Sequence, residues 1–285
     1  MNSVFRAYLR KFVLVFFDDI LIYSRTWEEH LEHVRIVFTL LRQHCLFVKR
    51  KKCDFGRSEL EYLGHFISVE GVKVDQAKIQ VMLDWPPPST ITELCGFLGL
   101  TGYYRKFVRD YGLIARPLTN LFKKGKFCWG DDAAATFVRL KAALITTPTL
   151  ALPNFDATFI IQTDASGDGI GAVLMQQGKP IAFMSRCLGI AKQNWSTYAR
   201  EMLAIVVAIR LWRPYIMGRR FIIQTDQKSL RYLLEQRILT PEQQKWVSKL
   251  AGYDYEITYK PGSANAVVDA LSRKADSPTL NATFV

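Results

Sequence analysis

Histidine is scarce in this 285-residue chain, with four in all, and no two cysteines form a C-x-x-C pair. The five cysteines, Cys45, Cys53, Cys95, Cys128 and Cys187, are odd in number and widely scattered. That pattern excludes a paired disulfide framework and a zinc site, and leads us to expect reduced thiols in an intracellular setting. Long apolar runs are also missing. Asp18, Asp19 and Arg210 interrupt the longest candidates, so no stretch reaches membrane-spanning length, and no secretory leader is read. The sequons at Asn194 and Asn281 are short enough to arise by chance.

What is present is an ordinary globular composition, 49% hydrophobic and 22% charged, enough for about two domains with sizeable cores. The net charge is +12 with a pI near 9.5, which favours a polyanionic partner. The excess is even: residues 1–125 and 126–285 each carry 19 Lys+Arg against 13 Asp+Glu, so neither half is a mere basic tail.

Along the chain, Lys11 to Ser24 (KFVLVFFDDILIYS) reads as a hairpin with Asp18 and Asp19 at its turn. Residues 27–44 have helical periodicity, with Leu31, Val34, Val37, Phe38 and Leu41 on one face. A basic run, Lys49-Arg50-Lys51-Lys52, follows; it is a candidate phosphate contact or a solvated stretch. Residues 60–74 read as a second hairpin turning at Glu70-Gly71. Asp75 is placed to cap a helix to Leu83, and Trp85 to Ser89, with three prolines, breaks the chain. Short aromatic-rich helices over 90–122 and one more before Pro148 complete the first half, with a boundary near residue 150. Beyond it strands alternate with helices: strands at 157–163, 169–177, 180–186, 220–225 and 253–259, helices at 193–213, 227–235, 240–251 and 265–273. This is an α/β domain. The last dozen residues read as a tail.

An internal echo points to chemistry. Ile160-Ile161-Gln162-Thr163-Asp164 recurs as Ile222-Ile223-Gln224-Thr225-Asp226. Each copy is an apolar strand ending in Asp. Laid side by side and parallel, the strands would bring both carboxylates to one edge, about 5 Å apart, where α/β sheets carry their sites. Alone, either Asp is as well read as a helix or turn cap. Glu201 alters the balance, because it stands in mid-helix among apolar neighbours (Tyr198 to Ala208), and Asp269 stands likewise among Val267, Val268, Ala270 and Leu271. Buried acids need partners or metal. Four carboxylates without histidine suit hard cations, Mg²⁺ or Mn²⁺, and a pair of such ions can hydrolyse a phosphodiester.

Four blocks, Thr163-Asp164-Ala165-Ser166, Tyr198 to Ala204, Phe221 to Asp226 with Lys228-Ser229-Leu230, and Asn265 to Arg273 (NAVVDALSR), resemble in order and spacing the ribonuclease H domain of gypsy-type LTR retrotransposon polyproteins. The resemblance implies that Asp164, Glu201, Asp226 and Asp269 hold two Mg²⁺ or Mn²⁺ ions and cut the RNA strand of an RNA–DNA hybrid. The family commonly has His after the third acid, whereas this chain has Gln227. Phe16-Phe17-Asp18-Asp19 resembles the [Y/F]-x-D-D signature of the reverse transcriptase palm, supported by Glu29-His30-Leu31, Lys52-Cys53 and Tyr62-Leu63-Gly64. It implies metal binding at Asp18 and Asp19 and nucleic-acid contacts at Lys49, Arg50, Lys51, Lys52, Tyr62 and Gly64. The fold expected is an α/β ribonuclease H-like mixed sheet with flanking helices, preceded by a partial α+β palm and a helical thumb. Its bounds are palm with primer-grip hairpin 1–75, thumb 76–125, connection 126–150, ribonuclease H domain 151–274 and tail 275–285. The family's third palm acid and fingers are expected ahead of residue 1, so nucleotidyl transfer by this chain is expected to be incomplete. Expected partners are an RNA–DNA hybrid and a template–primer duplex, with no membrane, in the cytoplasm, the nucleus or retrotransposon particles. The alternatives are a complete RNA-directed DNA polymerase within a longer product, a non-catalytic nucleic-acid-binding remnant and an integrase-type activity, which the block at Asn265 to Arg273 disfavours.

Overall fold

The computed structural model describes residues 1–123, 125, 127–231 and 241–261. The chain divides into two compact units, Met1–Val69 and Glu70–Val285. Among the described residues, no helix is long and apolar enough to cross a membrane.

The first unit begins with the expected hairpin. Strands β1 (Val13–Phe16) and β2 (Asp19–Ile22) pair antiparallel with Phe16 opposite Asp19, which leaves Phe17 and Asp18 as a two-residue turn. Phe17 takes a left-handed backbone, φ 51°, as tight hairpins require. Helix α1 (Trp27–Gln43) starts at Thr26, whose hydroxyl accepts from the Glu29 amide. Its core face is narrower than the periodicity predicts: Val37 and Leu41 are buried with Phe5, Phe12 and Val13, while Leu31 and Phe38 are exposed. Strands β3 (Glu59–Tyr62) and β4 (His65–Ser68) form a hairpin turning at Leu63-Gly64, both with positive φ. The stretch predicted as one hairpin about Glu70-Gly71 therefore holds a further turn, which the apolar alternation conceals.

The second unit opens with β5 (Gly71–Val74), bridged to Leu150 through Val72. A Cβ on Gly71, at φ 137°, would stand 2.1 Å from the Leu150 carbonyl oxygen, so only glycine fits. Helices α2 (Gln76–Leu83), α3 (Ile91–Tyr103), α4 (Tyr111–Ile114), α5 (Arg116–Asn120) and α6 (Asp131–Ile145) follow. Asp75 caps α2 by accepting from the Ala77 amide, and Thr90 caps α3. Next come β6 (Phe159–Ala165), β7 (Gly169–Gln176), β8 (Lys179–Cys187), α7 (Ile190–Gln193), α8 (Thr197–Leu211), α9 (Arg213–Ile216), β9 (Arg220–Thr225), α10 (Lys228–Arg231), α11 (Pro241–Leu250) and β10 (Asp254–Tyr259). The strand order is β10-β9-β6-β7-β8; β9 is parallel to both β6 and β10, while β7 is antiparallel to its two neighbours.

Both faces of this mixed sheet are covered, and β7 is buried along its whole length. Ala172 and Leu174 face a core built with Met202, Ile205 and Ile209 of α8 and with Trp246. Val173 and Met175, one residue out of phase, join Phe183 in the core of α2 to α6, with Phe97, Phe107 and Leu140. Period-2 alternation thus divides two apolar sets between two helical layers. The helical stretch 76–150 packs onto the sheet within one unit, and the division of the chain falls between Val69 and Glu70.

Candidate active site

The repeated pentapeptide lies in register. β6 and β9 run parallel with Ile160 opposite Ile222, Ile161 opposite Ile223 and Gln162 opposite Gln224. The two glutamines join, Gln162 Nε2 donating to Gln224 Oε1 at 2.8 Å, so the repeat makes its own cross-strand link. Asp164 and Asp226 consequently leave the sheet at the same end, as the sequence predicts.

Glu201 enters from α8, which starts at Ser196, whose hydroxyl accepts from the Ala199 amide. Met202, Ile205 and Ile209 seat the helix on the sheet, and Glu201 shares their buried side at 1% exposure. Its carboxylate is tied to both strands: it accepts from the Ala165 amide at 2.8 Å and from the Thr225 hydroxyl at 3.3 Å. One of these groups follows Asp164 and the other precedes Asp226. Ligand atoms of Asp164, Glu201 and Asp226 lie within 4.8 Å of one another.

Three carboxylates so close oppose one another's ionisation. Burial, then the charges of Asp164 and Asp226, push the Glu201 carboxyl up to about 9, although the Ala165 and Thr225 hydrogen bonds pull the other way. A divalent cation would reverse that balance, and an all-oxygen donor set without histidine suits Mg²⁺ or Mn²⁺. The residues present therefore fit such an ion. Asp269 lies outside the described residues. Gln227, beside Asp226, gives its amide to the Ser229 hydroxyl at 2.9 Å. Thr225 and the glutamine pair were not singled out as site residues from sequence; the signal was the repeat itself, which keeps Gln and Thr as strictly as Asp between its two copies, whereas Ala165 acts through its backbone amide, which no side chain announces.

Asp18 and Asp19 are both exposed at the β1–β2 turn, and among the described residues no third carboxylate or histidine completes a ligand set with them. Lys49 to Lys52 are exposed, with Arg50–Lys52 forming a single 3₁₀ turn. Tyr62 ends β3 and Gly64 lies in the β3–β4 turn; burial, then the charge of Asp19, raise the Tyr62 phenol above its ordinary range.

Residues 154–253 match the family described as RNase H-like domain found in reverse transcriptase, and residues 1–101 match reverse transcriptase (RNA-dependent DNA polymerase). The Pol polyprotein of Drosophila melanogaster transposon 297 is 40% identical over 275 residues, which is 96% of this chain and 26% of that protein. The Pol polyprotein of the D. melanogaster transposon gypsy is 34% identical, over 96% of this chain and 28% of that protein. The chain is a homologue of retrotransposon Pol polyproteins, that of gypsy among them. It spans about a quarter of the length of these relatives. Among solved structures, a foamy viral protease-reverse transcriptase in complex with RNA/DNA hybrid aligns with a TM-score of 0.81 at 20% identity, covering 100% of this chain and 39% of that one. The same enzyme type, as a dRH form with double-stranded DNA, aligns at 0.81 over 91% of this chain and 47% of that one. The likeness establishes the fold: an α/β, ribonuclease H-like mixed sheet in a reverse-transcriptase-type chain.

Proposed function

We propose that this retrotransposon Pol segment hydrolyses the RNA strand of RNA–DNA hybrids, acting as an endonuclease inside the cell. The observation that carries the reading is the convergence of Asp164, Glu201 and Asp226 at one end of two in-register parallel strands. With Asp269 as a fourth ligand, these side chains would hold two divalent ions. When bound, such ions activate water and stabilise the leaving oxygen of a phosphodiester. The chain's own groups set the stage: the Ala165 amide and Thr225 hydroxyl fix the Glu201 carboxylate, and the glutamine pair locks the two Asp-bearing strands in register. Gln227 holds no proton that titrates near neutral pH, so proton removal falls to solvent or to the ligands. The foamy viral relatives bound to hybrid or duplex DNA, and the net charge of +12, support nucleic-acid duplexes as partners. On this reading residues 1–75 are palm, 76–125 thumb, 126–150 connection and 151–274 nuclease.

The test is cleavage of a labelled hybrid in Mg²⁺. Asp164→Asn removes one ligand charge, so the rate is expected to fall by more than about a hundredfold, since even outer-shell partners of metal ligands cost ten- to a hundredfold. The metal-free fold should survive, because a carboxylate repulsion is removed. Wild-type cleavage by Asp164→Asn would remove the assignment. The reverse-transcriptase match over residues 1–101 favours a second role in nucleotidyl transfer within a longer product. Asp18 and Asp19 come from one hairpin, and two adjacent acids hold metal weakly, so this chain by itself is expected not to extend a primer. Extension that disappears in Asp18→Ala would reverse that expectation.

A further inference from the structure

The outer side of α8 carries a feature that the carboxylate site does not use. Helix α11 packs on α8, and Trp195, just ahead of α8, meets Trp246 of α11 edge to face with ring centroids 6.3 Å apart. Each indole carries an ammonium: Lys192 Nζ lies 5.5 Å from the Trp195 centroid, and Lys249 Nζ lies 4.0 Å from that of Trp246. Arg210, at the end of α8, and Lys245, one turn before Lys249, add their charges to the group. Burial, then Arg210, Lys245 and Lys192, hold the Lys249 ammonium below the ordinary lysine range. Among the described residues, no Asp or Glu forms an ion pair with any of these four cations. A solvated basic face spreads its charges; here two indoles gather them, and cation–π attraction sets the position of two.

We infer that Lys192, Arg210, Lys245 and Lys249, arrayed on Trp195 and Trp246, form a second backbone-phosphate contact for the RNA–DNA hybrid, apart from the carboxylates that cut it. The inference rests on the reading of the chain as a hybrid nuclease. Three of the four cations are lysines, which meet phosphate as point charges, and the hybrid of the proposed reaction offers phosphates at close, regular spacing. Arg210 follows Glu201 by nine residues on one helix, about 13.5 Å along its axis, or about four phosphate steps of one strand. Nine residues are about two and a half turns, so Arg210 faces away from Glu201 and the patch would meet the hybrid away from the scissile bond.

The experiment measures binding of the whole chain to a labelled hybrid of about 20 base pairs over a salt series, in Ca²⁺ to prevent cutting, since each phosphate contact contributes about 0.9 to the slope of log K against log salt. In Lys192→Ala/Arg210→Ala/Lys249→Ala the slope is expected to become shallower by about 2 to 3, and in Mg²⁺ KM should rise while kcat holds. Lys192→Arg/Lys245→Arg/Lys249→Arg, which keeps every charge, should keep the wild-type slope, which separates lost charge from lost packing. An unchanged slope and KM in the alanine variant overturns the contact. If the wild type binds hybrid with the patch-dependent slope but never cuts it, the contact stands and the nuclease reading falls.

Discussion

At the scale of single residues, the site is governed by how the fold treats buried carboxylates. Glu201 is held high by burial and two neighbouring acids, whereas Asp110 is held high by burial with no acid beside it. It sits in a left-handed backbone, φ 60°, ahead of α4, and its Oδ1 is buried without a hydrogen-bond partner. Burial raises its carboxyl to about 7, against the opposing charges of Arg109 and Arg139. An acid whose folded value exceeds its unfolded one binds its proton more tightly when folded. Stability from this group is therefore full below about 4, lost as pH rises toward 7, and absent above it. Asparagine keeps the neutral shape and tolerates the left-handed backbone. Asp110→Asn is expected to stabilise the chain by about 1–2 kcal/mol at pH 8, after discounting for solvent screening and the nearby arginines, and to change little at pH 4. Urea midpoints at the two pH values provide the check; equal shifts at both, or a loss at pH 8, would refute it.

At the scale of elements, the junction between α4 and β8 depends on one missing side chain. A Cβ on Gly112 would lie 2.7 Å from the Ser185 carbonyl oxygen, and the Gly112 amide donates to the Ser185 hydroxyl at 2.7 Å. Around it, Arg105 donates to the Ser185 carbonyl, the Phe183 amide donates to the Lys106 carbonyl, and Arg116 pairs with Asp168 at 3.1 Å. Gly112→Val would force helix and strand apart, at an expected cost of about 1–3 kcal/mol. Thermal unfolding of the pure variant measures it, and a wild-type midpoint would show that the junction yields freely.

The same elements show what the sequence could disclose. The strands of the second half were legible because β-branched runs alternate with helical periods, and the Asp164–Asp226 pairing because the repeat names its own register. The Asp75 cap was legible from its place before α2. The packing of 76–150 on the sheet was not, because β7 is apolar at consecutive positions, and such a run does not say which layer covers which face. The turn at Leu63-Gly64 was hidden for a similar reason: a β-like stretch of fifteen residues contains no signal that fixes how many times it folds back.

At the scale of the whole molecule, the sheet shares a core with the helices that precede it. Val173, Met175 and Phe183 are buried in the layer of α2 to α6, with Ile160 partly buried beside them. Each large side chain is worth about 1.5–3 kcal/mol when buried, so exposing the three fully buried ones forfeits about 5–9 kcal/mol, comparable with the whole stability of an ordinary domain. Exposed together, they also make a contiguous apolar face that favours self-association. A piece cut at residue 151, where composition alone sets the nuclease boundary, is expected to aggregate or to lose cooperative unfolding. A piece cut at Glu70 keeps both cores of the second unit and is expected to remain monomeric, with a sharp urea transition and the hybrid-cleaving activity of the whole chain. Gel filtration and denaturant unfolding of the two pieces decide between them. If the shorter piece is monomeric and unfolds at the same midpoint as the longer, the helical layer is a neighbour of the nuclease sheet and no part of its core.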